Sequence, residues 1–223
     1  MATDRLKIYN GAALIVGERN LATLTDRIEL RFLLDNVWND GGVRYCLEQG
    51  QWRFAMRTTK QIYDPAIQPA FGYRRAFPKP TDYVDTSAVC QDEYFNVPLL
   101  QYADEIGFWF ADWDEIFVKY VSDAVDYGAD LSRWPFSFTE YVKHFFAGKI
   151  VQKLPGKESL VTRLLGPAGR PESGAVHGAL ITAKNRDAMA GPTTFPARGS
   201  WTRSRYGSRA GWNDGGNRGS LIG

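Results

Sequence analysis

The chain has 223 residues and a formal net charge of +2, with 44% hydrophobic and 23% charged residues, the balance of an ordinary globular protein. Its length fits one domain, or one domain with an insertion, and allows a core that needs no disulfide or metal staples. No apolar run approaches the roughly 20 residues that cross a bilayer, and no signal-peptide pattern opens the chain. We therefore expect a protein made in a cytoplasm.

The first fifty residues predict helices. Apolar residues recur at helical spacing over residues 5–16, so we expect a first helix there. A second helix is expected from about residue 25 to Gly50, with a kink or break at Gly41-Gly42 because each glycine costs about 1 kcal/mol relative to alanine. The residues placed to cap the first helix are Thr3 or Asp4 at its start and Gly17 at its end.

Residues 51–122 predict a β-rich insertion, because prolines punctuate this region and the helical period fades. One short helix is expected over residues 81–89. Residues 111–114 are typical of a hairpin turn that joins the two strands beside them. The candidate strands are short aromatic and β-branched runs at residues 73–77, 99–102, 106–110 and 116–120.

Helical periodicity then returns. Ser137 and Glu140 have the spacing of a capping box, which predicts a helix that begins there and stops at Pro155-Gly156. A further helical stretch over residues 157–190 is interrupted near residues 166–171. The predicted fold is therefore mainly α, a helical bundle with an inserted small antiparallel sheet or hairpin and an extended C-terminal arm.

The arm, residues 191–223, differs in composition from the single domain predicted over residues 1–190. It holds five Arg against one acidic residue, together with eight Gly, and it cannot build a core alone. Four aromatic residues alternate with the arginines, and both residue types anchor protein interfaces. We predict that the arm gains order on meeting a partner, either nucleic acid or an acidic or apolar groove of a protein.

The chain shows no clear constellation of catalytic residues, and we expect no enzyme, cofactor or metal. Asp112, Asp114 and Glu115 come nearest to paired catalytic carboxylates, but they lie in the predicted turn, where Asp is favoured for its local hydrogen bonds. A hydrolase with a site hidden from sequence is the weakest alternative. Cys46 and Cys90 are expected to be buried free thiols, while a disulfide between them stays open.

Several stretches occur in an order that points to a known family: AALIVGE at 12–18, LTD at 24–26, CLEQGQWRFA at 46–55, FPKPTDY at 77–83, IFVKYV at 116–121, WP at 134–135 and RSRY at 203–206. In order and spacing the chain resembles, over roughly residues 10–222, the tail tubular protein A-type adaptors of tailed phages. The interruption at residues 166–171 departs from the unbroken helix expected of that family.

The resemblance implies a structural virion protein at the head–tail junction, made in the cytoplasm of the bacterial host. Such adaptors form a homo-oligomeric ring, a dodecamer, that docks on the portal protein. The ring presents its other face to the next tail component, a nozzle or tail terminator. Genome DNA passes through the channel without sequence-specific binding, and no membrane is involved.

Two sets of residues carry the expected contacts, in keeping with ring subunits that meet through two different patches. The arm is expected to bind the portal through Trp201, Arg203, Arg205, Tyr206, Arg209 and Trp212. The hairpin is expected to contact a neighbouring subunit or the tail side through Phe108, Trp109, Phe110, Trp113, Phe117 and Lys119. The alternative is a nucleic-acid-binding module that acts through its basic aromatic tail.

Overall fold

The structure, a computed structural model, describes residues 3–69 and 71–191. Its helices are α1 (Arg5–Val16), α2 (Glu29–Asn39), α3 (Gly42–Glu48), α4 (Phe136–Val151), α5 (Glu158–Leu165) and α6 (Ala175–Met189). Its strands are β1 (Met56–Ile62), β2 (Arg75–Pro78), β3 (Tyr83–Cys90), β4 (Ala103–Glu105), β5 (Phe108–Ala111) and β6 (Glu115–Ser122). Among the described residues, no helix is both long enough and apolar enough to span a membrane.

The prediction of a mainly α fold is wrong. The described residues form six helices and two three-stranded antiparallel sheets, which makes an α+β protein. All six strands lie within residues 51–122, the region that was expected to hold a small sheet or hairpin. The expected helix over 81–89 is also wrong, since β3 occupies it and pairs with β6 from Tyr83 to Cys90.

The helical layer is built around α4, which contacts α1, α2, α3, α5 and α6. Ten of the sixteen residues of α4 are buried, as expected for a helix that other elements surround. Phe138 is the centre of an aromatic cluster, because its ring centroid lies 4.7 to 4.9 Å from the rings of Trp52, Phe54 and Trp134. These large side chains provide much of the apolar burial in the helical core.

The ends of the first helices follow the sequence. The side chain of Asp4 accepts a hydrogen bond from the backbone N–H of Lys7, and Gly17 ends α1 in the left-handed conformation with a φ of 73°. Gly41, with a φ of 82°, separates α2 from α3, so the predicted break is confirmed. The interruption between α5 and α6 is confirmed as well.

The predicted capping box is wrong. α4 begins at Phe136, with Pro135 in the capping position and no side-chain cap. Thr139 donates its hydroxyl to the carbonyl of Pro135 at 3.2 Å, while Glu140 forms an ion pair with Lys143 at 2.7 Å. Pro135 has an extended ψ of 146° with a φ of −58°, and the helix begins directly after it.

The two sheets share a connection that the sequence did not reveal. Sheet I has the order β1-β6-β3 and sheet II the order β2-β5-β4. Because β5 and β6 are the central strands of different sheets, residues 111–114 cross from sheet II to sheet I. The predicted hairpin is therefore wrong: β5 pairs with β2 and β4, and β6 pairs with β1 and β3.

Sheet I has one end at the helices and one end away from them. Met56 pairs with Val121, and both pack in the helical core. At the other end Ile62 pairs with Glu115. We call this second end, together with the loops that connect the strands there, the distal end. A separate core unites the two sheets and consists of Phe77, Val89, Leu99, Trp109, Ala111, Ile116, Val118 and Tyr120.

Two phenylalanines on α4 test this packing. Phe138→Ala should lower the free energy of unfolding by about 3–5 kcal/mol, because it empties the centre of the aromatic cluster. Phe136→Ala, two residues away on an exposed position, should change the same quantity by less than about 0.5 kcal/mol. Urea denaturation followed by circular dichroism measures both, and equal losses would contradict the placement of α4.

Candidate assembly surface

The distal end carries a set of exposed apolar side chains. Each of these side chains is between 46% and 91% exposed, whereas other apolar side chains fill the cores. They lie on the loops after β1 and β3 and on the crossing between the sheets. We call the six residues the distal surface: Ile62, Phe71, Tyr94, Val97, Leu100 and Trp113. Clustered exposed apolar residues on a soluble fold mark sites of protein–protein contact.

The loop of residues 91–98 is held in one conformation by Asp92. Its carboxylate accepts hydrogen bonds from the backbone N–H groups of Asn96 at 3.0 Å and Val97 at 2.8 Å. These two bonds hold the pKa of Asp92 below its ordinary value. Phe95 adopts a φ of 57°, which is unusual for a residue with a side chain. This compact turn keeps Tyr94 in solvent instead of letting it fold onto the sheet.

The acidic cluster that resembled paired catalytic carboxylates is fully engaged in local contacts. Asp112 accepts a hydrogen bond from the backbone N–H of Arg74 at 2.9 Å. Asp114 pairs with Arg75 at 3.0 Å, and Glu115 pairs with Lys60 at 2.6 Å. These contacts fasten the crossing between the sheets to the neighbouring strands, and this accounts for the acidic residues at the turn.

The segment around the distal surface is strongly acidic. Residues 80–118 contain nine Asp or Glu and no Lys or Arg. Part of this charge is neutralised by neighbours, as in the pairs of Asp82 with Arg57 and Asp104 with Lys79. Among the described residues, Glu93 forms no ion pair, and it is exposed on the loop that carries Tyr94. Asp82, Asp85, Asp104 and Glu105 lie toward the other end of the sheets. The negative charge of the distal end therefore comes from Asp92, Glu93, Asp112, Asp114 and Glu115, of which Asp114 and Glu115 are paired with cations.

The predicted hairpin residues are divided by the structure. Trp109 is fully buried between the sheets, and its indole N–H donates to the hydroxyl of Thr86 at 3.0 Å, so it is a core residue. Phe108, Phe110, Phe117 and Lys119 are partly buried on the central strands. Of the set, only Trp113 belongs to the distal surface.

The other members of the distal surface were missed by the sequence analysis. The available signal is the long stretch without basic residues between Lys79 and Lys119, which contains Tyr94, Val97 and Leu100. The predicted portal-binding residues lie outside the described residues: Trp201, Arg203, Arg205, Tyr206, Arg209 and Trp212.

A polar junction links the strands of sheet I at the end beside the helical layer. The carboxylate of Asp82 accepts hydrogen bonds from Ser122, from Arg57 at 2.8 Å and from the hydroxyl of Tyr120 at 3.2 Å. Burial raises the pKa of Asp82, but the bonds from Ser122 and Arg57 outweigh it and hold the pKa below its ordinary value. Burial also raises the pKa of Tyr120, to about 12.

A second link runs from α3 to the same junction. Arg44 pairs with Asp123 and donates to the carbonyl of Tyr83 at 2.6 Å. Arg44 also lines a shallow groove of about 890 Å³ with Lys79 and Glu105. Because Lys79 pairs with Asp104 and Arg44 with Asp123, both cations of the groove are already engaged, and we assign no ligand to it.

The two cysteines do not pair. Cys46 lies in α3, whereas Cys90 ends β3, and both are buried free thiols, as predicted. Burial raises the pKa of each thiol. Because the thiolate is the reactive form, neither residue has the environment of a nucleophile.

These features define an α+β protein in which two packed sheets present an acidic, apolar surface at the end away from the helices. The sequence matches no model of a known protein family and no curated protein. Any functional conclusion therefore rests on the chemistry of the distal surface and of the arm.

Asp82→Asn tests the junction. The variant should lose about 2 kcal/mol of stability at pH 7, because bonds to a charged group become bonds to a neutral amide. Since the folded-state pKa lies below the ordinary value of 3.8, the carboxylate stabilises the protein above that pH, and this contribution disappears as pH falls through the folded-state pKa.

The difference between wild type and Asp82→Asn should therefore shrink on acidification. Thermal unfolding between pH 7 and pH 3 measures it. Asp126→Asn, which changes an exposed carboxylate nearby, is the matched control and should follow wild type. A difference that stays constant with pH would contradict the role of the charge.

Proposed function

We propose that this chain is a structural virion protein, a ring-forming head-to-tail adaptor that docks on the portal and connects it to the tail. The observation that carries the proposal is the distal surface. Burying each of these six exposed apolar side chains in an interface would stabilise the complex by roughly 1.5–3 kcal/mol, which favours a role in assembly. The family resemblance of the sequence supplies the kind of assembly.

A ring requires two different patches on each subunit, since its contacts run head to tail. The distal surface supplies one apolar patch. A second lies on the helical layer, where Ile28 and Phe32 stand one turn apart at α2 and Leu24 precedes them, all exposed. We propose that the helical patch serves the contact between neighbouring subunits and that the distal surface faces the tail-side component.

The arm completes the proposed connection. Its arginines and aromatic rings are the side chains that anchor protein interfaces, and ordering them costs about 1–2 kcal/mol per residue in backbone entropy. Only a large and permanent contact offsets that cost, and a portal ring offers one.

Truncation after Pro192 tests the portal contact. The shortened chain should keep its thermal unfolding midpoint, because both cores lie before that residue, but it should no longer stack on portal rings. Negative-stain microscopy of either chain mixed with the portal protein of the same genome gives the readout. Stacking by the truncated chain would reject the arm as the portal-binding element.

The same preparations distinguish the proposal from a nucleic-acid-binding module. That alternative requires the full chain alone to bind DNA with a strong salt dependence that truncation abolishes. We expect weak binding that is the same for both chains. Tight DNA binding by the full chain, without stacking on portal rings, would replace the adaptor proposal.

Charge substitution tests the distal surface. Leu100→Glu, at a position that is 85% exposed, should leave the fold and portal stacking intact but lower attachment of the tail component at least tenfold. Val125→Glu, at an equally exposed position in the loop after β6, is the matched control and should attach normally. Counting complete particles after complementation measures attachment, and normal particle yield with Leu100→Glu would exclude the distal surface.

A further inference from the structure

The distal surface and the C-terminal arm have complementary chemistry. We propose that the distal surface of one copy binds the arm, residues 192–223, of a second copy while the protein is free. The inference goes beyond the proposed function, because it concerns the protein before it meets a portal. In that state the arm would be held by another copy, and the portal would later compete for it.

Charge is the first argument. The arm carries five Arg and one Asp, whereas the distal end carries Asp92, Glu93, Asp112, Asp114 and Glu115, of which Asp114 and Glu115 already pair with Arg75 and Lys60. The opposite charges within one sequence attract at ordinary ionic strength and are screened by salt over about 10 Å. No other segment of the sequence as long as residues 80–118 is so one-sidedly acidic.

The pairing of side-chain types is the second argument. The aromatic residues of the arm alternate with its arginines, and the distal surface likewise sets exposed apolar side chains beside acidic ones. Glu93 and Tyr94 are adjacent on the loop that Asp92 holds in place. A guanidinium group that stacks on the ring of Tyr94 would also reach the carboxylate of Glu93, and such contacts contribute about 0.5–2 kcal/mol each.

Reach does not limit the contact. The 32 residues from 192 to 223 span at most about 110 Å when extended. The distal surface also needs no rearrangement to accept a segment, since its side chains are already exposed and its loop is fixed by Asp92. Because the site is already formed, the conformational entropy lost on binding is that of the arm alone.

The direct test is binding of a labelled peptide, residues 192–223, to the chain ending at Gly191, measured by fluorescence anisotropy. The shortened chain is suitable because residues 1–189 form a compact unit of their own. We expect saturable binding that weakens about tenfold or more between 50 and 500 mM salt. A scrambled peptide of the same composition should bind at least fivefold more weakly, because it retains the charge but loses the order of rings and arginines.

Two charge reversals locate the site. Glu93→Lys should weaken binding at least fivefold, because it places a cation beside Tyr94. Glu105→Lys is the matched control, since Glu105 is also exposed in the same acidic segment but ends β4 beside the turn to β5, away from the distal end. It should bind like the parent chain. Tyr94→Ser should reduce affinity without changing charge.

The full chain provides the second readout. Sedimentation velocity should show self-association of the full chain at 50 mM salt and its loss at 500 mM. Self-association should also be lost in the chain truncated after Gly191 and in Glu93→Lys, but it should be retained in Glu105→Lys. The inference is overturned if the peptide does not bind, if its scrambled form binds as well, or if both reversals have the same effect. None of these assays contains a portal, so their failure leaves portal stacking as a separate result.

Discussion

The carboxylate of Asp82 is the constraint on which the arrangement of the molecule depends. Directly before β3, it accepts hydrogen bonds from both other strands of sheet I, from Tyr120 and Ser122 of β6 and from Arg57 of β1, at the end that meets the helical layer. A partly buried carboxylate is costly unless its oxygens are satisfied, and here a hydroxyl of serine, a guanidinium group and a phenol converge on it. The register of sheet I is thereby fixed beside the helices.

The opposite end of the sheets is the distal end, which lies away from the helices. The crossing between β5 and β6 closes the layer of Phe77 and Trp109 between the two sheets, and the pair of Arg75 with Asp114 fastens it from outside. The crossing thus joins two strands, as a hairpin turn would, but the second strand belongs to the other sheet. The loops around it are left with their apolar side chains in solvent.

Sequence reasoning succeeded where one local interaction decides the structure. Asp4, Gly17 and Gly41 set helix ends through a capping bond or a left-handed backbone, and these positions are correct. It failed where the outcome depends on partners distant in sequence. The turn residues at 111–114 are compatible with a hairpin, and only the pairing of β6 with β1 and β3 shows that none forms.

Other errors have equally physical reasons. A short helix was predicted after Pro80, but the segment forms β3, because its pairing with the central strand β6 decides its conformation. Of the candidate site, Trp113 was named in advance, whereas Tyr94 and Leu100 were not. Exposed and buried apolar residues look alike in a sequence, so that distinction required the packed sheets.

The absence of lysine and arginine between Lys79 and Lys119 also determines how this protein responds to chemical and enzymatic probes. Trypsin finds no cleavage site there, and Pro80 protects the bond after Lys79, so the loop after β3 and the crossing leave a digest as part of one long fragment, whereas Arg74 and Arg75 separate the loop after β1 from it. Amine-directed crosslinkers are likewise blind to these loops. Reagents that attack carboxylates, and proteases that cut after glutamate, are the ones that report on this side of the molecule.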